Sequence, residues 1–90
     1  MAKIIDINGQ QQEVKPQNGV QFRGKELNQL VGGYIEIIRL NSRYFMVINE
    51  EGKLQNLPYN AYATILYQTY VSPYDYIVGN AVLVSVDEID

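Results

Sequence analysis

The sequence predicts an α+β fold, in which a mostly antiparallel sheet of about five strands carries two short helices packed largely on one face. Short runs rich in Ile, Val, Phe and Tyr recur between turn residues, a pattern typical of strands. Two other segments repeat apolar residues at helical spacing. The chain has 90 residues, of which 47% are hydrophobic and 19% charged, so we predict that residues 1–90 form one folded domain.

The N-terminal third predicts a hairpin followed by a helix. Lys3–Asn8 is rich in isoleucine, a turn follows at Gly9, and Gln11–Lys15 is the returning strand. Beyond this hairpin, three apolar residues share one side of a predicted helix: Leu27, Leu30 and Val31. Gly32 comes next, at the position where a left-handed residue usually ends a helix.

The central segment predicts a second hairpin. Tyr34–Leu40 and Arg43–Asn49 are β-branched and aromatic runs on either side of a two-residue turn at Asn41-Ser42. This turn sets a register in which Leu40 pairs with Arg43. One face of the hairpin is then wholly apolar and consists of Ile35, Ile37, Met46 and Ile48. The other face is mixed and consists of Tyr34, Glu36, Ile38, Phe45, Val47 and Asn49.

The C-terminal half predicts another strand, a second helix and a last strand. Lys53–Leu57 is expected to be the third strand of the central meander. Asn60 is placed to cap a helix over Ala61–Tyr70, since its side chain can accept a bond from an early backbone N–H. Tyr76–Val86 is the last strand, which Gly79-Asn80 interrupts with a bulge or a kink. The acidic tail, residues 87–90, is expected to be flexible.

Composition excludes several classes of protein and site. The net charge of −3 and the pI near 4.8 lack the basic field that nucleic-acid binding needs. Because the chain has no Cys and no His, it lacks a thiolate nucleophile and an imidazole base, and we predict neither a metal site nor a cofactor. No apolar run reaches membrane-spanning length, so we expect a cytoplasmic protein without a membrane partner.

Polar and aromatic side chains at one end of the predicted hairpin form the candidate ligand site. Tyr34 is expected to stack on a ligand, while Glu36 and Asn49 hydrogen-bond it. Tyr59 and Asn60 join this site if the second helix begins beside the same end of the sheet. A solvated sheet face, a turn and a helix cap use the same residue types, so a purely structural interpretation stays open. The functional interpretation predicts that Tyr34→Ala or Asn49→Ala abolishes binding without unfolding the protein.

The second helix has a wider apolar surface than packing on one sheet requires. Ala61, Tyr62 and Ile65 form an apolar edge beside the residues expected to face inward. An apolar edge on a surface helix is typical of a contact with another subunit. We interpret it as a candidate homo-oligomer interface.

Three short motifs are the most specific parts of the chain: Gly32-Gly33-Tyr34-Ile35-Glu36, Asn49-Glu50-Glu51-Gly52 and Leu57-Pro58-Tyr59-Asn60. In their order and spacing the chain resembles a family of small domains of unknown function that is found mainly in bacteriophages, prophages and mobile elements. The resemblance extends over nearly the whole chain. It implies a phage-type accessory protein in the cytoplasm of a bacterial host, and it assigns no catalytic residue.

Three classes of function follow from these observations. The first is a non-catalytic binding module that acts on a host protein or sequesters a small polar ligand; by analogy, small phage proteins of this size are often inhibitors. The second is a structural or assembly protein that works as a homo-oligomer. The third is a hydrolase or transferase built around Glu36, the one acid placed inside a strand of the central hairpin. No second carboxylate is spaced to pair with Glu36, so we predict a binding protein and not an enzyme.

Overall fold

The computed structural model describes residues 2–89, which form a five-stranded sheet, two α-helices and a 3-10 turn. The elements in chain order are Ala2–Ile5 (β1), Gln11–Val14 (β2), Gly24–Val31 (α1), Ile35–Arg39 (β3), Tyr44–Asn49 (β4), Ala61–Tyr70 (α2), Ala81–Ser85 (β5) and the 3-10 turn Val86–Glu88. The strand order is β2-β1-β5-β4-β3, and neighbouring strands are antiparallel. The predicted α+β class with its antiparallel sheet and two helices is therefore confirmed.

The two helices cover opposite faces of the sheet, and the prediction that they pack largely on one face is wrong. Leu27 and Val31 of α1 belong to the same core cluster as Val47. Ala63 of α2 belongs to a second cluster with Met46. Met46 and Val47 are consecutive in β4 and both fully buried, so this strand is apolar on both sides. A strand of this kind needs a cover on each face of the sheet.

The third meander strand predicted at Lys53–Leu57 is also wrong, because these residues form turns. The Leu57 N–H donates to the Gly52 carbonyl at 3.0 Å, and Asn56 has a left-handed φ of 54°. The neighbour of β4 is instead β5, which lies in the centre of the sheet. A central strand is buried on both faces, which suits the apolar β5 better than a segment with three polar residues out of five.

The β3–β4 hairpin is shifted by one residue from the predicted register. The Leu40 N–H donates to the Tyr44 carbonyl at 3.0 Å, so the loop has three residues instead of two. Asn41 holds this loop, because its Oδ1 accepts hydrogen bonds from the N–H groups of Arg43 and Tyr44 at 2.8 and 3.0 Å. The favoured two-residue hairpin turns need a positive φ, which no residue of this loop adopts.

The shift separates residues that were predicted to share a face. Ile35 pairs with Asn49 on the α1 face, while Glu36 pairs with Ile48 on the α2 face. The predicted apolar face and the predicted mixed face are therefore both wrong. In consequence, the side chains of Glu36 and Asn49 lie on opposite sides of the sheet.

The predicted helix ends at Asn60 and Gly32 are confirmed. Asn60 Oδ1 accepts a hydrogen bond from the Ala63 N–H at 3.0 Å and so caps the start of α2. Gly32 follows α1 with a left-handed φ of 80°, and its N–H donates to the Asn28 carbonyl. Local residue preferences therefore determine where α1 ends and where α2 begins.

The C-terminal segment is held against the chain that precedes α1. The Phe22 N–H donates to the Glu88 carbonyl at 2.6 Å, and Phe22 forms a β-bridge with Ile89. These contacts position residues 87–89, and the flexibility of the acidic tail stays a prediction. Asp90, the last residue of that tail, lies outside the described residues.

Candidate functional site

A cleft of about 380 Å³ opens on the α2 face of the sheet, beside the edge strand β3. Its floor is apolar and consists of Ile38, Ile48 and Ile77. Its rim is polar and consists of Glu36, Glu50, Lys53, Tyr67, Asp75 and Tyr76. A concave surface with convergent polar groups around an apolar floor is a common form of small-molecule site.

The turn that follows β4 forms one wall of the cleft. It begins where the Gly52 N–H donates to the Asn49 carbonyl at 3.1 Å. Gly52 is buried against Val78, and a Cβ added to it would lie 2.9 Å from Val78 Cγ2. The missing side chain lets the turn approach the segment before β5, which brings Lys53 to Asp75.

Lys53 and Asp75 form an ion pair at the rim of the cleft. The hydrogen bond from Lys53 lowers the pKa of Asp75, as does the one from the Tyr76 N–H, and the bond to Asp75 raises the pKa of Lys53. Lys53 Nζ also lies 4.3 Å from the centroid of the Tyr76 ring. The two charged side chains are 46% and 49% exposed, so the pair adds little to stability. The pair holds the Lys53 ammonium group, the Asp75 carboxylate and the Tyr76 ring together at the rim.

The cleft carries an excess of negative charge. Three carboxylates and one ammonium group lie among its lining residues. Because Lys53 already neutralises Asp75, the exposed carboxylates of Glu36 and Glu50 account for the excess. The cleft therefore favours a ligand that brings a cation or several hydrogen-bond donors.

The predicted site residues do not form one cluster. Glu36 lines the cleft, whereas Tyr34 is 72% exposed and outside its lining. Asn49 forms part of the cleft wall, but it is only 4% exposed. Its Nδ2 donates to the Val31 carbonyl at 3.3 Å, and its Oδ1 accepts a bond from the Glu51 N–H at 2.8 Å. The polar atoms of Asn49 thus form hydrogen bonds within the protein.

Asn60 also uses its polar atoms inside the protein, whereas Tyr59 lies at the surface. Asn60 is fully buried, and its Nδ2 donates to the carbonyls of Ile5 and Gly79 at 3.0 and 2.9 Å. Tyr59 is exposed, and its ring centroid lies 6.0 Å from that of Tyr76. Tyr59 therefore extends the aromatic part of the rim.

Sequence reasoning did not single out Lys53, Asp75 and Tyr76 as site residues. A signal for the first two exists, because residues 54–74 contain no charged residue and two opposite charges flank this run. Opposite charges at the ends of a long neutral segment are natural candidates for pairing. No such signal distinguishes Tyr76 from the other tyrosines of a chain that has eight.

The outer side of α2 presents the predicted interface residues to solvent. Ala61 is exposed, Tyr62 is 43% exposed and Ile65 is 64% exposed. Ala63 and Thr64 form the buried side of the same helix. Because α2 has no charged residue, its outer surface is neutral along its whole length.

Within residues 2–89, no group of three or more His, Cys, Asp or Glu side chains is placed to hold a metal ion. In the same part of the chain, no helix is both long enough and apolar enough to cross a membrane.

Comparisons with known proteins place the chain in a family. No curated protein and no solved structure matches it. One family matches residues 3–90 and is described as a domain of unknown function (DUF3846). This agrees with the uncharacterised domain family that the sequence motifs predicted. Since the match covers nearly the whole sequence, the chain belongs to the DUF3846 family.

Proposed function

We propose that the chain is a non-catalytic binding module, which holds a positively charged or donor-rich group of its ligand in the cleft beside β3. The observation that carries this proposal is the position of the Glu36 and Glu50 carboxylates at the rim of an apolar floor. The floor excludes water from one side of the ligand, and the carboxylates and Tyr76 supply charge and an aromatic face.

The bacterial and mobile-element context belongs to the same proposal. The resemblance of the three sequence motifs to a phage and mobile-element family supports it. In that context the ligand is a host protein or a small polar molecule of the bacterial cytoplasm, and binding without turnover inhibits or sequesters it.

The exposure of the cleft carboxylates favours binding over catalysis. General acid–base catalysis usually relies on carboxyl groups that are at least partly withdrawn from solvent. Glu36 and Glu50 are solvent-exposed, so both carboxylates can reach a cationic group of a ligand. Full binding without any turnover is therefore the expected behaviour.

A titration with butylammonium, followed by ¹⁵N NMR of the whole protein, tests the proposal. We expect amide shifts at residues around the cleft, and weaker shifts with butanol, which has the same chain length and no charge. Glu36→Gln should weaken butylammonium binding about 3-fold, because it removes one of two exposed charges. Glu13→Gln is the matched control, since it removes an exposed charge on β2, outside the cleft lining. An equal loss in both variants would contradict the proposal.

The neutral outer surface of α2 favours a second candidate function, a homo-oligomer that assembles through Ala61, Tyr62 and Ile65. Between copies of an acidic protein, an uncharged contact surface avoids like-charge repulsion.

For this second candidate, Ile65→Glu is expected to convert an oligomer into a monomer, measured by light scattering over a range of concentrations. Val20→Glu is the control, since Val20 is 69% exposed and lies outside α2. A wild-type monomer at every concentration would remove this candidate.

A further inference from the structure

The outer edge of β3 has unpaired backbone groups. Hydrogen bonds from the Glu50 N–H to the Tyr34 carbonyl and from the Leu40 N–H to the Tyr44 carbonyl, at 2.8 and 3.0 Å, show which residues pair with β4. In an antiparallel ladder these residues alternate with residues whose backbone points outward. The outward residues of β3 are Ile35, Ile37 and Arg39, and no described residue hydrogen-bonds to their backbone groups.

This edge is more apolar than the opposite edge of the sheet, and its two charged residues, Glu36 and Arg39, lie on opposite faces. β3 pairs with β4 over five consecutive residues without a bulge or a proline, and Ile37 is 44% exposed. β2 forms the other edge with the polar sequence Gln-Gln-Glu-Val. Soluble proteins usually block an edge with charge, proline or a bulge, because an open apolar edge accepts another strand. The open edge of β3 is therefore a candidate contact surface.

The cleft and the open edge are continuous. Glu36, Ile37 and Ile38 all line the cleft. The side chain of Ile37 lies on the α1 face, so it is the main chain of Ile37 that borders the cleft. A strand added to β3 would consequently run along the cleft and place every second side chain beside it.

We infer that the ligand of the cleft is an extended segment of another protein, which adds to β3 as a sixth strand and inserts a Lys or Arg side chain between Glu36 and Glu50. This inference rests on the proposed function and specifies its ligand. Side chains on the α2 face of the added strand meet carboxylates, which favours basic residues. Those on the other face meet Ile35 and Ile37, which favours apolar residues. The expected segment alternates basic and apolar residues.

A second copy of the chain does not provide the basic side chain that the cleft beside β3 calls for. On the α2 face, β3 and the residues that flank it present Tyr34, Glu36, Ile38 and Leu40, and none of them is basic. Its one cation, Arg39, lies on the α1 face together with Phe45, 5.3 Å above that ring. Pairing of β3 with its own copy would leave the cleft carboxylates without a cation, so a partner of different sequence fits better.

The probe is a blocked heptapeptide that alternates lysine with valine, titrated into the ¹⁵N-labelled full chain. We expect slowed amide exchange at Ile35, Ile37 and Arg39 when it binds. A version methylated on the backbone nitrogens that face β3 should bind at least about 10-fold more weakly, because it cannot complete the ladder. A heptapeptide with glutamate in place of lysine should not bind.

Ile37→Pro tests the same β3 edge by changing the protein instead of the peptide. The Ile37 N–H points outward, so proline removes it without breaking the β3–β4 ladder, and binding should fall at least about 10-fold. Glu13→Pro is the matched control on β2. The Asp6 N–H donates to the Gln10 carbonyl at 2.9 Å, and in that register the Glu13 N–H also points outward. Glu13→Pro should bind the peptide like the wild type.

The outcomes separate this inference from the proposed function. Two results would overturn the added strand and leave the cleft as a cation site, provided that Glu36→Gln still loses binding. The first is equal binding of the methylated and unmodified peptides, and the second is unchanged peptide binding by Ile37→Pro. Butylammonium binding without peptide binding would do the same. An edge already occupied by a second copy, shown by a wild-type dimer that Ile37→Pro dissociates, would also overturn the inference. Failure of butylammonium and the peptide alike would overturn both.

Discussion

Asn60→Ala is expected to lower the free energy of unfolding by about 3–5 kcal/mol, a large part of the stability of a small domain. Asn60 is fully buried, and its Nδ2 donates to the carbonyls of Ile5 and Gly79 at 3.0 and 2.9 Å. Its Oδ1 accepts a hydrogen bond from the Ala63 N–H at 3.0 Å. Alanine removes all three of these bonds in a site closed to water. Urea unfolding followed by circular dichroism measures the loss.

A second substitution at Asn60, with a control at Asn18, shows which hydrogen bonds of Asn60 matter for stability. Asn60→Asp keeps the acceptor for Ala63 but places one carboxylate oxygen against two carbonyls, so it should destabilise at least as much as alanine. Asn18→Ala is the matched control, because exposed Asn18 also accepts two backbone bonds, from Val20 and Gln21 at 2.9 Å. Water can replace those bonds, and the expected cost is below about 1 kcal/mol. Near-wild-type stability of Asn60→Asp would mean that the cap alone matters.

Asn60 illustrates how much of the fold the sequence could predict. Its role as a helix cap was predictable, because a cap depends on residues within one turn of helix. Its two other bonds reach Ile5 and Gly79, which are 55 and 19 positions away. Such contacts depend on the packing of α2 against the sheet and leave no local pattern. The sequence therefore predicts helices, most strands and turns more readily than the contacts between them.

The central hairpin shows how an error in the predicted loop length changes the predicted face of every residue in the strand that follows. Asn41-Ser42 has the composition of a two-residue turn, but Asn41 accepts bonds from two N–H groups and holds a three-residue loop. Because side chains alternate along a strand, one extra loop residue moves every side chain of β4 to the other face relative to β3. Predicting this loop length required the conformation of Asn41, which its residue type leaves open.

The candidate cleft was predicted only in part for a related reason. Glu36 was identified because it lies in a strand among apolar residues. Its neighbours Lys53 and Asp75 come from a turn after β4 and from the segment before β5. They meet because β5 crosses back to pair with β4, a connection that local periodicity does not specify.

Asn49→Ala is expected to lower the free energy of unfolding by about 2–3 kcal/mol, contrary to the sequence-based prediction that it affects binding alone. Asn49 joins the end of α1 to the turn beside the cleft, through bonds to the Val31 carbonyl and from the Glu51 N–H. Gln55 Oε1 accepts a third bond, at 3.3 Å, and is exposed. Gln55→Ala is therefore the control, with an expected cost below about 1 kcal/mol. Thermal unfolding of each variant separates a loss of stability from a loss of binding.

Gly33 provides an independent test of this structural role. A Cβ added to Gly33 would lie 2.9 Å from Asn49 Nδ2, which is held in place by its hydrogen bonds. Gly33→Ala should cost about 1–2 kcal/mol in the wild type and less than about 0.5 kcal/mol in Asn49→Ala, where the space is open. A double-mutant cycle of the unfolding free energies measures this coupling. Additive costs would show that the Asn49 amide does not occupy the space beside Gly33, and Asn49 would then be available to a ligand.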